Sequence, residues 1–256
     1  HRHYRRQRQM CIRDRSGPSG LASAYSAAKN GAKVILAEDK PRFGGSLLSS
    51  DVNIGNESGK EWADKIITEL KSMPNVVVKN RAQVFGYYDH NMLVMSERLT
   101  EHLPKSDKFT PKQKLWYIRA KEVVISSGSI ERPLVFGNND TPGVLLSSAA
   151  KEYMKVYGVL VGKKPIIFTN NDSAYETAIE FKKNGVDPIV LDSRKELSSD
   201  LIKDAKNLGI NIKFEYVVVN ANGYRKVKSA DIAKISDDKT TLGKIENIAC
   251  DCICVS

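Results

Sequence analysis

Gly17–Ser46 reads GPSGLASAYSAAKNGAKVILAEDKPRFGGS, a glycine turn, a helix, a strand and an acidic strand end in that order. Gly17 and Gly20 fit the last two glycines of G-x-G-x-x-G. One lets backbone approach a pyrophosphate and the other lets the helix pack on a strand. Leu21–Asn30 is rich in Ala and Ser with apolar positions at helical spacing, and Asn30-Gly31 supplies a left-handed stop. The positive end of that helix therefore faces the phosphates. Lys33–Ala37 is a continuous apolar run, as suits a strand buried on both faces, and it delivers Glu38. A carboxylate there accepts hydrogen bonds from a ribose diol and repels a 2′-phosphate, which favours NAD or FAD over NADP. The bland alternative is a strand-to-helix turn without a ligand and a solvated Glu38.

The first glycine of the motif belongs two residues before Gly17, where Arg15 stands behind HRHYRRQRQMCIRD. No strand is legible in that stretch. Residues 1–15 read as foreign sequence or a disordered basic tail, with a genuine basic arm as the alternative. On that reading the chain lacks its first strand and binds NAD poorly, because a side chain at position 15 obstructs the turn.

A chain of 256 residues at 41% hydrophobic has the composition of one large α/β core or two modest ones. It has no apolar run long enough to cross a bilayer and no signal-peptide centre, so no membrane role and a cytoplasmic location are expected. The formal net charge is +10, but residues 1–15 hold six Arg against one Asp and carry half of it. The remaining charge is dispersed Lys and Glu without an aromatic-plus-basic motif, which argues against nucleic acid. Cys250, Cys252 and Cys254 alternate along an apparent strand, on one face. Without a second ligand cluster they read as small buried thiols, and no metal site is expected.

Outward from the opening stretch, Pro41–Ser46 returns flexible backbone at Gly45 and a hydroxyl at Ser46 toward the pyrophosphate. Ser58-Gly-Lys-Glu61 is a capping box opening a helix to about Met73. Val76–Val78 is a short strand. Arg81–Tyr88, Asn91–Met95 and Leu115–Ala120 alternate like antiparallel strands around a polar loop at 104–114. Lys121–Ser126 is a buried strand that ends in a small-residue turn at Gly128, beside the nucleotide. A helix follows over Ser147–Tyr157.

From Pro165 the pattern repeats at an offset of 154, with Ala174 at the place of Gly20, Asn184-Gly185 at that of Asn30-Gly31, and Asp192 at that of Glu38. In this second unit Asn171 replaces Gly17, and Asp172 adds a negative charge facing any phosphate. The fold is kept and dinucleotide binding is lost. A helix over Ser199–Leu208, a strand over Ile210–Phe214 and a hairpin at Asn222-Gly223 complete it. IACDCICVS parallels KEVVISSG, so residues 246–256 read as a strand returning to the first domain, and the chain reads as a piece cut at both ends. The expected fold is α/β, with two Rossmann-like three-layer domains, the second inserted into the first, and a small antiparallel β-layer. Their limits are 16–145 for the first and 146–245 for the second.

Two such folds resemble the glutathione-reductase-like flavoprotein superfamily. AQVFGYYDHNMLVMSERLTEHL (82–103), KQKLWYIRAKEVVISSGSIERPLVFGNNDTPGV (112–144) and FTNNDSAY (168–175) narrow it: they resemble the alpha subunits of heterotetrameric sarcosine oxidases, over residues 16–256. The resemblance implies NAD in the first fold, with FAD and FMN in a flavin-bearing beta subunit or at its interface, and smaller subunits completing a hetero-oligomer. It implies a part in oxidising sarcosine to glycine, with formaldehyde or methylene-tetrahydrofolate and hydrogen peroxide as the other products. It also implies NAD contacts at Ser19 with its flanking glycines Gly17 and Gly20, at Glu38, Asp39, Lys40 and Ser46, and at Val84 beside the adenine. No catalytic acid, base or nucleophile is assignable. Competing readings are a stand-alone FAD/NAD-dependent oxidoreductase, for which no C-x-x-C pair is present, a nucleotide-stabilised scaffold for a flavoprotein, and a sister amine or opine oxidase subunit.

Overall fold

The structure is a computed structural model that describes residues 9–13, 16–104, 109–236 and 241–256. Arg15, most of the basic tail and residues 105–108 of the predicted loop lie outside the described residues. The chain divides into two compact units, His1–Ser129 and Ile130–Ser256.

In the first unit, β1 (Gln9–Arg13), α1 (Pro18–Lys29), β2 (Val34–Ala37), the two-residue strands β3 (Asn53–Ile54) and β4 (Glu57–Ser58), α2 (Gly59–Ser72) and β5 (Val76–Lys79) precede an antiparallel ribbon of β6 (Ala82–Tyr88), β7 (Met92–Arg98) and β8 (Gln113–Ile125). The sheet order is β5-β2-β1-β8-β7-β6, parallel from β5 to β8 and antiparallel beyond. β2 is buried throughout because alternate side chains serve two cores. Val34 and Leu36 meet Leu21, Ala24, Ile66 and Leu70 of the helices, while Ile35 and Ala37 meet Val84, Leu93, Met95 and Ile118 of the ribbon. Each large side chain fully buried in this way contributes about 1.5–3 kcal/mol.

Two expectations are corrected here. Gln9–Arg13, where no strand is legible, forms the central strand, paired in parallel with β2 through Met10↔Val34 and with β8 through Cys11↔Val123. Tertiary context decides such a segment: β2 on one side and β8 on the other leave an open hydrogen-bonding slot that almost any extended stretch can fill. The runs Leu115–Ala120 and Lys121–Ser126 are one strand, β8. Its first half pairs antiparallel with β7 and its second half parallel with β1.

The second unit holds β9 (Val144–Leu146), α3 (Ser147–Tyr157), β10 (Pro165–Thr169), α4 (Ser173–Lys183), β11 (Ile189–Asp192), α5 (Asp200–Asn207), β12 (Asn211–Phe214), β13 (Tyr216–Asn222), β14 (Ser229–Lys234), β15 (Glu246–Ala249) and β16 (Cys252–Val255). Its parallel sheet runs β12-β11-β10-β16-β9, with β13-β14-β15 as a separate antiparallel sheet. The helices cover one face around Tyr175, Phe181 and Ile202; the antiparallel strands cover the other around Phe168, Leu191 and Ile232. The offset of 154 is visible in the helix ends. At α1, Ala32 N–H reaches Ala27 O and Gly31 N–H reaches Ala28 O; at α4, Val186 reaches Phe181 and Gly185 reaches Lys182 in the same way. Both are Schellman stops with glycine in the left-handed region, at φ 81° and 75°.

The chain's last strand does not return to the first sheet. β16 lies between β10 and β9, with Ile166↔Ile253 and Ile253↔Val144 in register. A short run buried on both faces reads alike whichever parallel sheet receives it. IACDCICVS is also two strands broken at Cys250-Asp251, so the three thiols do not share a face: Cys250 enters the core under the antiparallel strands, and Cys252 and Cys254 enter the helix-side core. All three are free and buried, and burial pushes the Cys250 thiol up to about 12. Among the described residues no helix is long and apolar enough to cross a membrane.

Candidate functional site

In both units the strand order reverses beside the central strand, between β1 and β8 in one and between β10 and β16 in the other. Open α/β sheets bind ligands at this crevice, beyond the carboxyl ends of the strands. The two crevices differ in chemistry.

In the first unit Pro18 occupies the first helical turn of α1, and among the described residues no side chain caps the helix. A Cβ at Gly17 would meet nothing within 4 Å, so the backbone there is open to an approaching group. Gly45 lies against the same turn: its own Cβ would stand 2.8 Å from the Gly17 Cα, and Gly44 N–H donates to Ser16 O at 2.8 Å. The returning glycine loop thus packs on the Gly17 turn, with Ser19 and Ser46 exposed at the rim and Gly20 buried beneath.

Glu38 ends β2 and is 1% exposed, so it is not a solvated surface acid. Three neutral donors serve its carboxylate: Ser16 N–H and Oγ (2.9 Å) on Oε2, and Lys40 N–H (2.9 Å) on Oε1. The strand end is fixed by Glu38 N–H to Lys79 O at 2.9 Å and Ala82 N–H to Glu38 O at 2.8 Å. Asp39 follows, its carbonyl taken by the Arg98 guanidinium. Asp39 Oδ1 is buried, with no hydrogen-bond partner among the described residues. Burial, and then the Asp39 carboxyl, push Glu38 from its ordinary 4.5 up to about 7. Val84 is fully buried in the ribbon core, and Gly128, at φ 67°, is exposed past the end of β8. Thus Gly17, Gly20, Glu38, Asp39, Lys40 and Gly45 lie on one connected turn system, whereas the Val84 side chain is committed to packing. Ser16 is the residue that sequence reasoning missed. It is fully buried, and its only signal is a small hydroxyl residue directly before Gly17.

The Glu38 shift has a consequence for stability. A carboxyl raised on folding stabilises the fold fully below its unfolded value of about 4.5, and that contribution is lost as pH rises through about 7. The interval is worth at most ~3 kcal/mol. We expect the ligand-free chain to melt higher at pH 5 than at pH 8, and Glu38→Gln to flatten that slope. A wild-type slope unchanged by Glu38→Gln would remove Glu38 as its source.

In the second unit Asp192 occupies the place of Glu38 but is already consumed. It is fully buried and accepts from Tyr175 Oη at 2.8 Å, from Arg194 N–H at 2.9 Å, and from the Arg194 guanidinium at 3.0 and 2.8 Å. The same guanidinium reaches Asp172 at 2.8 Å. Both carboxylates hold the Arg194 pKa above its ordinary value, with Asp192 the larger cause; burial and then Asp192 raise that of Tyr175. Asp172 therefore does not face the turn as a free negative charge, as the sequence suggests. Asn171 Oδ1 takes the Ser173 N–H and hydroxyl that would otherwise greet a phosphate. A cavity of about 440 Å³ remains at this crevice, lined by Glu131, Arg132, Asn171, Ser173 and Ser256 among others.

Residues 16–256 match the family model for pyridine nucleotide-disulphide oxidoreductases. The chain is 36% identical over 242 residues to the alpha subunit of the Rhizobium meliloti sarcosine oxidase and 32% identical over 244 residues to that of Corynebacterium sp. (strain U-96). Each alignment covers 94% of this chain, against 23% and 25% of the relative, so the chain spans about a quarter of their length. An opine oxidase subunit of Agrobacterium tumefaciens is 24% identical over 165 residues, covering 60% of this chain and 32% of that one. Among solved structures, the thioredoxin reductase of T. acidophilum superposes with a TM-score of 0.70 at 16% identity, covering 97% of this chain and 76% of that one, a likeness of fold.

Proposed function

The chain belongs to the pyridine nucleotide-disulphide oxidoreductase family, and we propose that it is the nucleotide-binding part of the alpha subunit of a multisubunit sarcosine oxidase, with NAD in its first unit. The observation that carries the nucleotide reading is the Glu38–Asp39 pair at the end of β2, with Glu38 buried and Asp39 half-buried, which presents acceptors and an undonated oxygen where a ribose diol would lie. The uncapped start of α1 and the bare backbone at Gly17 suit a pyrophosphate. The acid serves NAD and FAD alike, and the choice of NAD follows the resemblance to the sarcosine oxidase alpha subunits. Oxidation of the amine belongs, on this reading, to FAD and FMN in a partner beta subunit or at its interface. This chain supplies binding and orientation. An opine or other secondary-amine substrate is the sister reading, favoured by the weaker relative.

Titration calorimetry tests the nucleotide assignment. One NAD per chain is expected, since Arg194 and Asn171 occupy the second crevice. NADP should bind more weakly, because a 2′-phosphate would face two carboxylates. Glu38→Ala should weaken NAD by about 1–3 kcal/mol, the scale of charge-assisted hydrogen bonds. Unchanged affinity in that variant would take Glu38 out of the site, and a purified chain that is yellow with bound FAD would move the reading to a self-contained flavoprotein.

A further inference from the structure

We propose that, whatever nucleotide the first unit takes, its α1 and β8 form the seat of a further strand and helix, supplied by the same polypeptide outside residues 1–256. The second unit shows such a seat filled. By register Ile12 of β1 corresponds to Ile167 of β10: Ile12 lies between Leu36 and Val124, as Ile167 lies between Val190 and Cys254. Beyond Cys254 the second sheet carries one more strand, β9, with Cys254↔Leu145 in register, and α3 follows it to pack on α4. Beyond Val124 no strand follows among the described residues. β7 pairs with β8 over residues 113–119, so residues 122–125 of β8 pair with β1 alone. Burial follows the difference. β16 is buried at all four residues, as a strand inside a parallel sheet should be, while Val123 and Val124 are half-buried and Ile125 is 55% exposed. An open, uncharged strand edge of this kind is one that proteins ordinarily cover.

The helix layer repeats the pattern residue by residue. On α4, Glu176 pairs with Lys151 of α3, Thr177 Oγ1 meets Ser147 Oγ at 2.9 Å, and Glu180 pairs with Lys155 at 3.6 Å. An offset of 154 turns Glu176, Thr177 and Glu180 into Ala22, Ser23 and Ser26 of α1. These three, with Ala27, Asn30 and Val124, line an open groove of about 500 Å³. Thr177 and Phe181 are buried in the second unit, whereas their counterparts Ser23 and Ala27 are half-buried and line that groove.

The same positions define the helix that fits. α4 offers two carboxylates, which α3 meets with lysines, but α1 offers a methyl group and two hydroxyls and no charge to pair. The added helix therefore presents apolar side chains at the places of Ser147, Lys151 and Lys155, a single face at four-residue spacing. Its strand runs parallel to β8 and is apolar on both faces. The sarcosine oxidase alpha subunits aligned with this chain are about four times its length, since the alignments take in 23% and 25% of them, so such a segment has a covalent source. A tethered segment also reaches an effective concentration that a free partner does not.

Hydrogen exchange read by mass spectrometry, on the 256-residue chain and on the full-length gene product, tests the open edge. Residues 122–125 should exchange about tenfold or more slowly in the full-length protein, with residues 34–37 of β2 protected alike in both. Ser26→Trp, which fills the groove from an exposed position, should return residues 122–125 to fast exchange in the full-length protein and leave the 256-residue chain as it was. Ser26→Ala should change neither. Equal exchange at residues 122–125 in the two proteins would overturn the proposal. Protection of the 256-residue chain that grows with its concentration would give the seat to a second copy, and protection of the full-length protein only in the presence of other subunits would give it to one of them. Either result overturns the source in the same polypeptide. A Ser26→Trp full-length protein still protected at residues 122–125 would remove the α1 groove from the seat.

Discussion

Arg194→Ala should destabilise the second unit by about 3–5 kcal/mol, the cost of stripping one partner from a buried ion pair. Asp192 is fully buried and takes three of its hydrogen bonds from Arg194, leaving only Tyr175 Oη when the side chain goes, apart from the backbone N–H at 194. The negative charge then loses its ion-pair partner, and Asp172 adds a second negative charge nearby. Arg194→Lys should recover only part of the loss, because an ammonium cannot reproduce the fork that spans both carboxylates. Urea unfolding measures these differences.

The double variant Asp192→Leu/Arg194→Met separates charge from packing. Replacing both partners with apolar side chains of similar size removes the stranded charge, and buried pairs exchanged in this way are often neutral. We expect it to lose far less than Arg194→Ala does. A double variant as unstable as the single one would mean that the Arg194 contacts act by shape and not by charge. Neither variant is expected to admit a nucleotide, because Asn171 still caps the start of α4.

What was legible in the sequence was local and periodic. The capping box at Ser58 and Glu61 forms with both reciprocal bonds, and α3 spans Ser147–Tyr157 as its pattern predicts, because each depends on neighbours within a turn. The offset of 154 survives as paired Schellman stops for the same reason. What failed was long-range. Gln9–Arg13 has little pattern of its own and becomes a strand because β2 and β8 flank it. β16 has a strong pattern, but the burial that makes it a strand is the same in either sheet. The acidic strand ends were found at Glu38 and Asp192, whereas their opposite fates depend on Ser16 and Arg194, whose side-chain directions no spacing rule supplies.

Gly45→Ala should cost about 2–5 kcal/mol and weaken NAD binding more than tenfold, from two additive causes. Gly45 has φ 54°, in the left-handed region, where a side chain costs roughly 1–2 kcal/mol. Its new Cβ would also stand 2.8 Å from the Gly17 Cα and 3.2 Å from the Gly17 N. Both obstacles are backbone, which cannot swing aside as a flexible side chain can, so the loop must lift from the turn, at an overpacking cost of about 1–3 kcal/mol. Lifting it displaces the two stretches that the pyrophosphate is proposed to meet. Gly31→Ala supplies the control: its φ is 81°, but a Cβ there meets nothing within 4 Å. That variant should lose only the left-handed penalty, about 1–2 kcal/mol, and keep its affinity for NAD. Thermal melts of the two variants give the stability difference, and NAD titrations show whether the close approach matters to the ligand. If Gly45→Ala matched Gly31→Ala in both, the contact between the two glycine turns would have no part in holding the phosphates.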